Sequence, residues 1–257
     1  MPPFNDLAAV EVLLANGDIA LILTEPALTN TAMVLPQPGF IEGLMEAARR
    51  HGTLVCIDET HTISTGYGGF TRAHDLHPDF FVLGKPVAGG LPAAVFGFSA
   101  KVEADMARVL ATKVPGYSGI GTTLSGNMLT LAAMRACLEE VMTQSAFDHM
   151  AALAAYLADG LRAVVADHGL RWTVTQIGTR AELVFSENPL QNGAEAAASI
   201  DHTVERALHL FLLNRQVLVT PFHNMTLVAP TTTKADVDKL VRTFGEAIAL
   251  LCGKGEM

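Results

Sequence analysis

Three short apolar runs, each too brief for a typical helix and each ending on a polar residue, constrain this chain more than any other feature. Residues 19–24 run into Glu25-Pro26, residues 53–57 into Asp58-Glu59, and residues 80–83 into Gly84-Lys85. Unbroken apolarity over so short a length predicts strands buried on both faces of a sheet. Between the first two runs, Phe40, Ile41, Leu44, Met45 and Ala48 recur at helical spacing after Pro38-Gly39. Arg49, Arg50 and His51 suit the negative end of that helix, and Gly52 supplies the stop. Strand, helix and strand form a βαβ unit, whose handedness rule implies a parallel sheet. Ligands of such a sheet sit beyond the carboxyl ends of its strands, so Glu25, Asp58 and Lys85 are expected to face one site.

The rest of the chain completes an α/β pattern. A helix is predicted over residues 5–16 with Gly17 as its stop, and a fourth strand over 93–98. Beyond Gly126 the composition shifts to Ala, Leu and Met, with helices over about 127–142 and 147–165 separated by Thr143-Gln144-Ser145, the expected hinge. Residues 171–177, 182–185, 217–220 and 226–229 read as strands, and 200–214 as a helix. The last helix starts at Thr233, where Asp236 forms a capping-type pair, and turns Val237, Leu240, Val241, Phe244, Ile248 and Leu251 inward. The expected division is a mainly parallel sheet domain over residues 1–142 and a smaller α+β domain over 143–257.

Composition narrows the function classes. With 17 basic and 26 acidic residues in 257, a net charge of −9 and no Lys/Arg run, a nucleic-acid or anionic-membrane partner is not expected. Mean hydropathy is +0.33, yet the longest apolar stretch falls far short of the ~18 residues that span a bilayer. Met1 to Asp6 lacks an export signal, and a cytoplasmic setting is expected. Cys56, Cys137 and Cys252 are too few and too far apart for a disulfide framework, and Cys56 reads as core packing. His51, His61, His74 and His77 with Asp58, Glu59, Asp75 and Asp79 show no compact ligand spacing, so no metal is expected. His51 reads as a helix-end cation, and His74 and His77 as surface residues. Ser64 and Ser118 lack a G-x-S-x-G elbow, and Gly66-Tyr67-Gly68-Gly69 reads as a flexible turn rather than a phosphate loop.

An acid ending one strand and a lysine after a later one, set among Gly84, Pro86, Gly89 and Gly90, are what pyridoxal 5'-phosphate chemistry needs. The lysine forms a Schiff base with the aldehyde, and the carboxylate keeps the pyridine nitrogen protonated. Four strings then occur in an order that resembles the class III aminotransferases of the fold-type-I pyridoxal-phosphate superfamily. They are Glu25-Pro26-Ala27-Leu28-Thr29-Asn30, Ile57-Asp58-Glu59-Thr60-His61-Thr62, Leu83-Gly84-Lys85-Pro86 with Ala88-Gly89-Gly90-Leu91-Pro92, and Gly121-Thr122-Thr123-Leu124-Ser125-Gly126-Asn127. The last is similar to the glutamate-1-semialdehyde aminomutase branch.

The resemblance implies that Lys85 is the Schiff-base lysine and shuttles a proton, that Asp58 partners the pyridinium, that Thr60 packs on the ring, and that His61 lies near the ring hydroxyl. It implies that Thr123 reaches a phosphate bound by the other subunit of a homodimer, and that Glu25 stands at the edge of the site. Arg180, within residues 178–182, is a candidate for bidentate binding of a substrate carboxylate; the competing reading pairs it with Glu182 or leaves it in solvent. Thr60-His61 and Met128 depart from the commoner family pattern and bear on substrate class. Family members open with a long segment holding a phosphate-binding loop and a ring-stacking aromatic. The resemblance covers only the later part of that length, so an N-terminal half is an expected partner. The expected activity is transamination or aminomutase-type amino transfer among small amino-acid or amine donors and carbonyl acceptors. The alternative is a truncated fragment without catalysis, acting at most as an oligomerising subunit.

Overall fold

The computed structural model describes residues 1–117, 119–121, 123–221 and 223–252. Ser118, and Thr122 of the 121–127 string, lie outside the described residues.

Helix α1 (Leu7–Leu14) starts where the Asp6 carboxylate accepts the Ala9 N–H at 2.9 Å. It packs on α2 (Phe40–His51), which ends with Gly52 at φ +71°, as its sequence requires. Strands β1 (Leu21–Thr24), β2 (Leu54–Asp58) and β3 (Phe80–Leu83) are parallel, in register Leu21 to Leu54 and Cys56 to Phe80. Strand β4 (Val95–Phe98) pairs antiparallel with β3, giving the order β1-β2-β3-β4. Val10, Leu14, Phe40, Ile41, Leu44, Val55, Ile57 and Phe70 form the core on the α1/α2 face. The short α3 (Gly69–Ala73) contributes Phe70 to it.

The opposite face of β1 corrects the expectation of a strand buried on both sides. Ile22 packs into the core, but Leu21 and Leu23 point away from it, and Leu23 is 66% exposed. Burial of a strand depends on what covers its second face, and nothing among the described residues covers this one. Phe96 and Phe98 on β4 are exposed likewise.

After β4 come α4 (Ala100–Leu110), α5 (Met128–Ala136) with a π-helical turn at Cys137–Val141, and the long α6 (Gln144–Asp167). Thr143 is the N-cap of α6, so the three polar residues expected to separate two helices instead start the second one. A second sheet follows. Strands β5 (Thr173–Ile177), β6 (Arg180–Val184) and β7 (Met225–Leu227) are antiparallel in that order, with α7 (Gly193–Ala198) and α8 (His202–Leu213) between β6 and β7. Helix α9 (Lys234–Leu251) carries the expected Thr233–Asp236 capping box and, with α6, covers the sheet through Leu157, Leu161, Val174, Leu183, Phe244 and Ile248.

Residues 217–220 are not a strand. Val217 N–H closes the end of α8 on the Leu212 carbonyl, and Thr220 Oγ1 donates to the His223 carbonyl at 2.6 Å, so local bonds replace a ladder. Among the described residues no helix is long and apolar enough to cross a membrane.

The two sheets meet at the β5–β6 turn. Thr179 N–H donates to the Ser64 carbonyl at 3.0 Å, and Gly178, at φ +52°, lies so close to the Thr65 backbone that a Cβ would collide with it. Only glycine fits there, and the turn fixes how Arg180 enters the site.

Candidate active site

The carboxyl ends of the parallel strands deliver the polar residues. Glu25 follows β1, Asp58 is the last residue of β2, and Lys85 follows β3. Lys85 adopts φ +49° although proline follows it. A left-handed conformation costs a non-glycine residue about 1–2 kcal/mol, and proline further restricts its predecessor. The buried Leu83, Gly84, Val87 and Ala88 hold the segment, and the Cys137 Sγ donates to the Pro86 carbonyl at 3.2 Å. The Lys85 side chain is thereby presented outward from a fixed base.

A chain of hydrogen bonds joins three of the strand-end loops. Lys85 Nζ contacts His61 Nε2, His61 Nδ1 lies 2.5 Å from Thr29 Oγ1, and that hydroxyl donates to Glu25 Oε2 at 2.8 Å. Burial, then the positive charges of Arg180 and Lys85, hold the His61 pKa down at about 4, so the imidazole is neutral at pH 7. Glu25 is pushed above its ordinary value, chiefly by burial with Asp58 adding to it, while the Thr29 bond and the charges of Lys85 and Arg180 oppose the rise. The five expected residues Glu25, Asp58, Thr60, His61 and Lys85 therefore lie together. Asp58 Oδ1 accepts the Thr60 N–H at 2.8 Å, and the Thr60 side chain reaches within 3.5 Å of the place a Gly84 Cβ would occupy.

Arg180 approaches from the second sheet. It is 5% exposed, and its Nε donates to Ser64 Oγ at 2.7 Å while Nη1 lies 3.9 Å from Met225 Sδ. It is neither solvated nor bonded to Glu182, whose carboxylate pairs instead with His223 Nδ1 at 3.1 Å. Burial lowers the Arg180 pKa, and Glu25 and Glu182 counter that. Thr123 is placed elsewhere, on the exposed loop before α5.

Three residues given no role from sequence hold the site together. Thr29 is the middle of the hydrogen-bonded chain, and Ser64 donates to the His61 carbonyl at 2.8 Å while accepting from Arg180. Glu59 is fully buried and accepts from Thr62 Oγ1 at 2.7 Å, from Phe70 N–H at 3.1 Å and from Thr71 N–H, tying the loop after β2 to α3. Thr29 lies within the Glu25–Asn30 motif, whereas nothing in the sequence marks Ser64 or the backbone donors of Glu59. Cys56 is buried as expected, and burial with Asp58 beside it raises its thiol pKa. His51 bonds Glu11 at the end of α2, and His74 and His77 are exposed. Among the described residues no group of three His, Cys, Asp or Glu side chains could hold a metal ion.

Against known families, the aminotransferase class-III profile matches residues 4–248. A curated protein from Sorangium cellulosum named glutamate-1-semialdehyde 2,1-aminomutase is 33% identical over 251 residues, covering 96% of this chain and 56% of that protein. The crystal structure of a glutamate-1-semialdehyde aminomutase from Pseudomonas aeruginosa superposes with a TM-score of 0.94 at 49% identity, over 97% of this chain and 56% of that one. A lysine-to-alanine variant of such an enzyme from the same organism was solved in complex with PMP. A β-phenylalanine aminotransferase from Variovorax paradoxus superposes at 0.83 with 27% identity, over 95% of this chain and 56% of that one. The chain thus spans about half the length of the relatives it matches.

Proposed function

Because the chain belongs to the class-III aminotransferase family, we propose that it carries the lysine-bearing part of a pyridoxal-phosphate enzyme that moves an amino group to, or within, a small carbonyl compound. The observation that carries this reading is Lys85 itself. Its side chain is held outward from a strained backbone at the carboxyl end of β3, one strand from the Asp58 carboxylate and in contact with a neutral imidazole. A primary amine, an acid, a hydroxyl and an imidazole at one sheet edge are a donor set that suits this cofactor. When bound, pyridoxal phosphate supplies an aldehyde carbon for a lysine and a ring that accepts electrons.

In this reading each side chain has one task. Lys85 Nζ would hold the cofactor through its aldehyde carbon, and its amine would take and return a proton at the substrate carbon bearing the nitrogen. The Asp58 carboxylate, steadied by the Thr60 N–H, would keep a proton on the ring nitrogen. Thr60 would pack against the cofactor ring, and His61 would serve the ring hydroxyl. Arg180, fixed by Ser64, offers its guanidinium to a substrate carboxylate, with Glu25 at the edge of the same space. The phosphate contacts are assigned to Thr123 of a second copy and to the portion of the relatives that this chain does not span.

A homodimer is part of the proposal, supported by the exposed apolar residues Leu124, Met128 and Leu129 beside Thr123. A polypeptide corresponding to the unspanned portion is a second partner, supported by the open flanks of the first sheet at β1 and β4. The same reading divides the chain at residues 142/143, where Thr143 opens α6, and places it in the cytoplasm, in keeping with three free cysteines.

The test is a half-reaction. The chain loaded with pyridoxal phosphate, alone and together with the missing part of a relative, is mixed with a panel of amino acids and amines while the cofactor absorbance is followed. Conversion by at least one donor, lost in Lys85→Ala, supports amino transfer. No conversion in either format would contradict it.

A further inference from the structure

We propose that the chain Glu25–Thr29–His61–Lys85 is a tautomer lock, in which Thr29 and Glu25 hold His61 with its proton on Nδ1 so that Nε2 accepts a hydrogen bond from Lys85 and positions the lysine nitrogen. The inference deepens the reading of Lys85 given above and rests on it for its functional meaning, but its geometry stands apart from any cofactor.

Donor and acceptor counting carries the argument. The Thr29 hydroxyl has one proton, and it is directed to Glu25 Oε2 at 2.8 Å. Thr29 Oγ1 is left as an acceptor toward His61 Nδ1, 2.5 Å away, which places the ring proton on Nδ1. Nε2 then carries a lone pair, and its contact is Lys85 Nζ, whose ammonium has only hydrogens to give. Each partner is itself anchored. Thr29 is 1% exposed, the His61 carbonyl accepts from Ser64, and the Lys85 backbone is held on both sides by buried residues.

The charges facing His61 come from every element around it: Lys85 after β3, Asp58 at the end of β2, Glu25 through Thr29, and Arg180 and His223 from the second-sheet side. Their sum, with burial, favours the neutral ring. A neutral imidazole that resists protonation accepts a hydrogen bond without taking the proton, so His61 acts on Lys85 by placement and leaves proton transfer to the lysine. His61 is in this sense a positioning residue. Sequence neighbours alone do not specify it, because Thr29 and His61 stand 32 positions apart.

Nitrogen NMR of the full chain, labelled at histidine and without cofactor, tests the lock directly. The expected result at pH 7 is a neutral His61 with its proton on Nδ1, shifting to a mixture of tautomers in Thr29→Val and staying locked in Thr29→Ser. A wild-type ring protonated on Nε2, or on both nitrogens, would overturn the proposal, and this measurement needs no variant to fold. The second readout is the rate at which pyridoxal phosphate becomes reducibly attached to Lys85. Thr29→Val removes the hydroxyl's bonds to Glu25 and to His61, and the lost placement of the Lys85 nitrogen predicts a fall of about tenfold, restored in Thr29→Ser. An unchanged rate in Thr29→Val would also overturn it. Absence of any attachment in the wild type, alongside the locked tautomer, would instead count against the enzymatic reading while leaving the lock in place.

Discussion

The carboxyl ends of the first sheet and the flanks of that sheet are only a few residues apart in sequence, yet they are finished to different degrees. At the carboxyl ends, Glu25, Asp58, His61, Lys85 and Arg180 are each anchored by Thr29, Thr60, Ser64 or one another. On the flanks, Leu21 and Leu23 of β1, Phe96 and Phe98 of β4, and Leu129 of α5, itself 71% exposed, meet no cover among the described residues. The difference teaches that the hydrogen-bonded groups at the carboxyl ends are positioned by the described residues themselves, while the apolar second face of the sheet is left uncovered by them. A hydrophobic face tolerates a late partner because the attraction is non-directional. Hydrogen-bonded groups do not, since each unsatisfied one costs about 1–3 kcal/mol when buried.

The strongest way to break the comparison is to disconnect the finished region from the second sheet. Gly178→Ala combines a left-handed φ with a collision against Thr65, so it is expected to destabilise the chain by well over about 1 kcal/mol and to dislodge Arg180 from Ser64. Urea unfolding checks the first effect. An unshifted midpoint would mean that the two sheets are not locked at this turn.

A narrower probe removes one side chain of the site. Arg180→Ala is expected to raise KM for a carboxylate-bearing substrate about tenfold, as befits a lost charge-assisted contact, with a much smaller change for an amine lacking the carboxylate. Equal KM for both would remove Arg180 from substrate binding.

Acid separates the regions more gently. The folded His61 titrates near 4 against an ordinary 6.5, so between those values the unfolded chain binds a proton that the folded chain refuses. Its contribution to stability is therefore complete above about pH 6.5 and is lost as the pH falls toward 4. Glu25 and Glu182 are shifted upward, so their contributions run the other way, present in acid and lost as the pH rises. The comparison that isolates His61 is the unfolding midpoint of wild type and His61→Phe at pH 7 and pH 5. Wild type should lose more stability on acidification, and parallel losses would contradict the shifted histidine.

The smallest effect belongs to the flank. Leu23→Asn should change the stability of the isolated chain by no more than about 0.5 kcal/mol, because the side chain is already in water. It should weaken association with the missing part of a relative. A stability loss above about 1 kcal/mol would show that β1 is covered in the folded chain, erasing the contrast.

This same contrast governs what was legible in the sequence. Helix α2 was readable because Pro38-Gly39 and Gly52 punctuate it, and Lys85 and Asp58 because each follows an apolar run. The exposure of β1 is not legible in the run itself, since Leu21 and Leu23 look identical whether or not another surface lies against them; only the resemblance, which covers just the later part of the family's length, points to uncovered apolar faces. Helix α4 was unread because Lys101, Glu103, Asp105 and Arg108 break its apolar pattern and Val102 alone among its residues is buried. The residues that finish the site were hidden for a different reason. Ser64 meets Arg180 across 116 positions, and Glu59 accepts from backbone donors that carry no residue identity. Strand ends announce reactive groups, whereas the bonds that position them appear only when the loops are folded together.

Borohydride reduction of the purified chain after titration with pyridoxal phosphate, followed by peptide mass mapping, decides whether Lys85 is the reactive amine. One stoichiometric adduct on Lys85, absent from Lys85→Ala, is the expected result. Labelling spread over surface lysines, or equal in wild type and Lys85→Ala, would contradict the claim that this chain by itself builds the amine site.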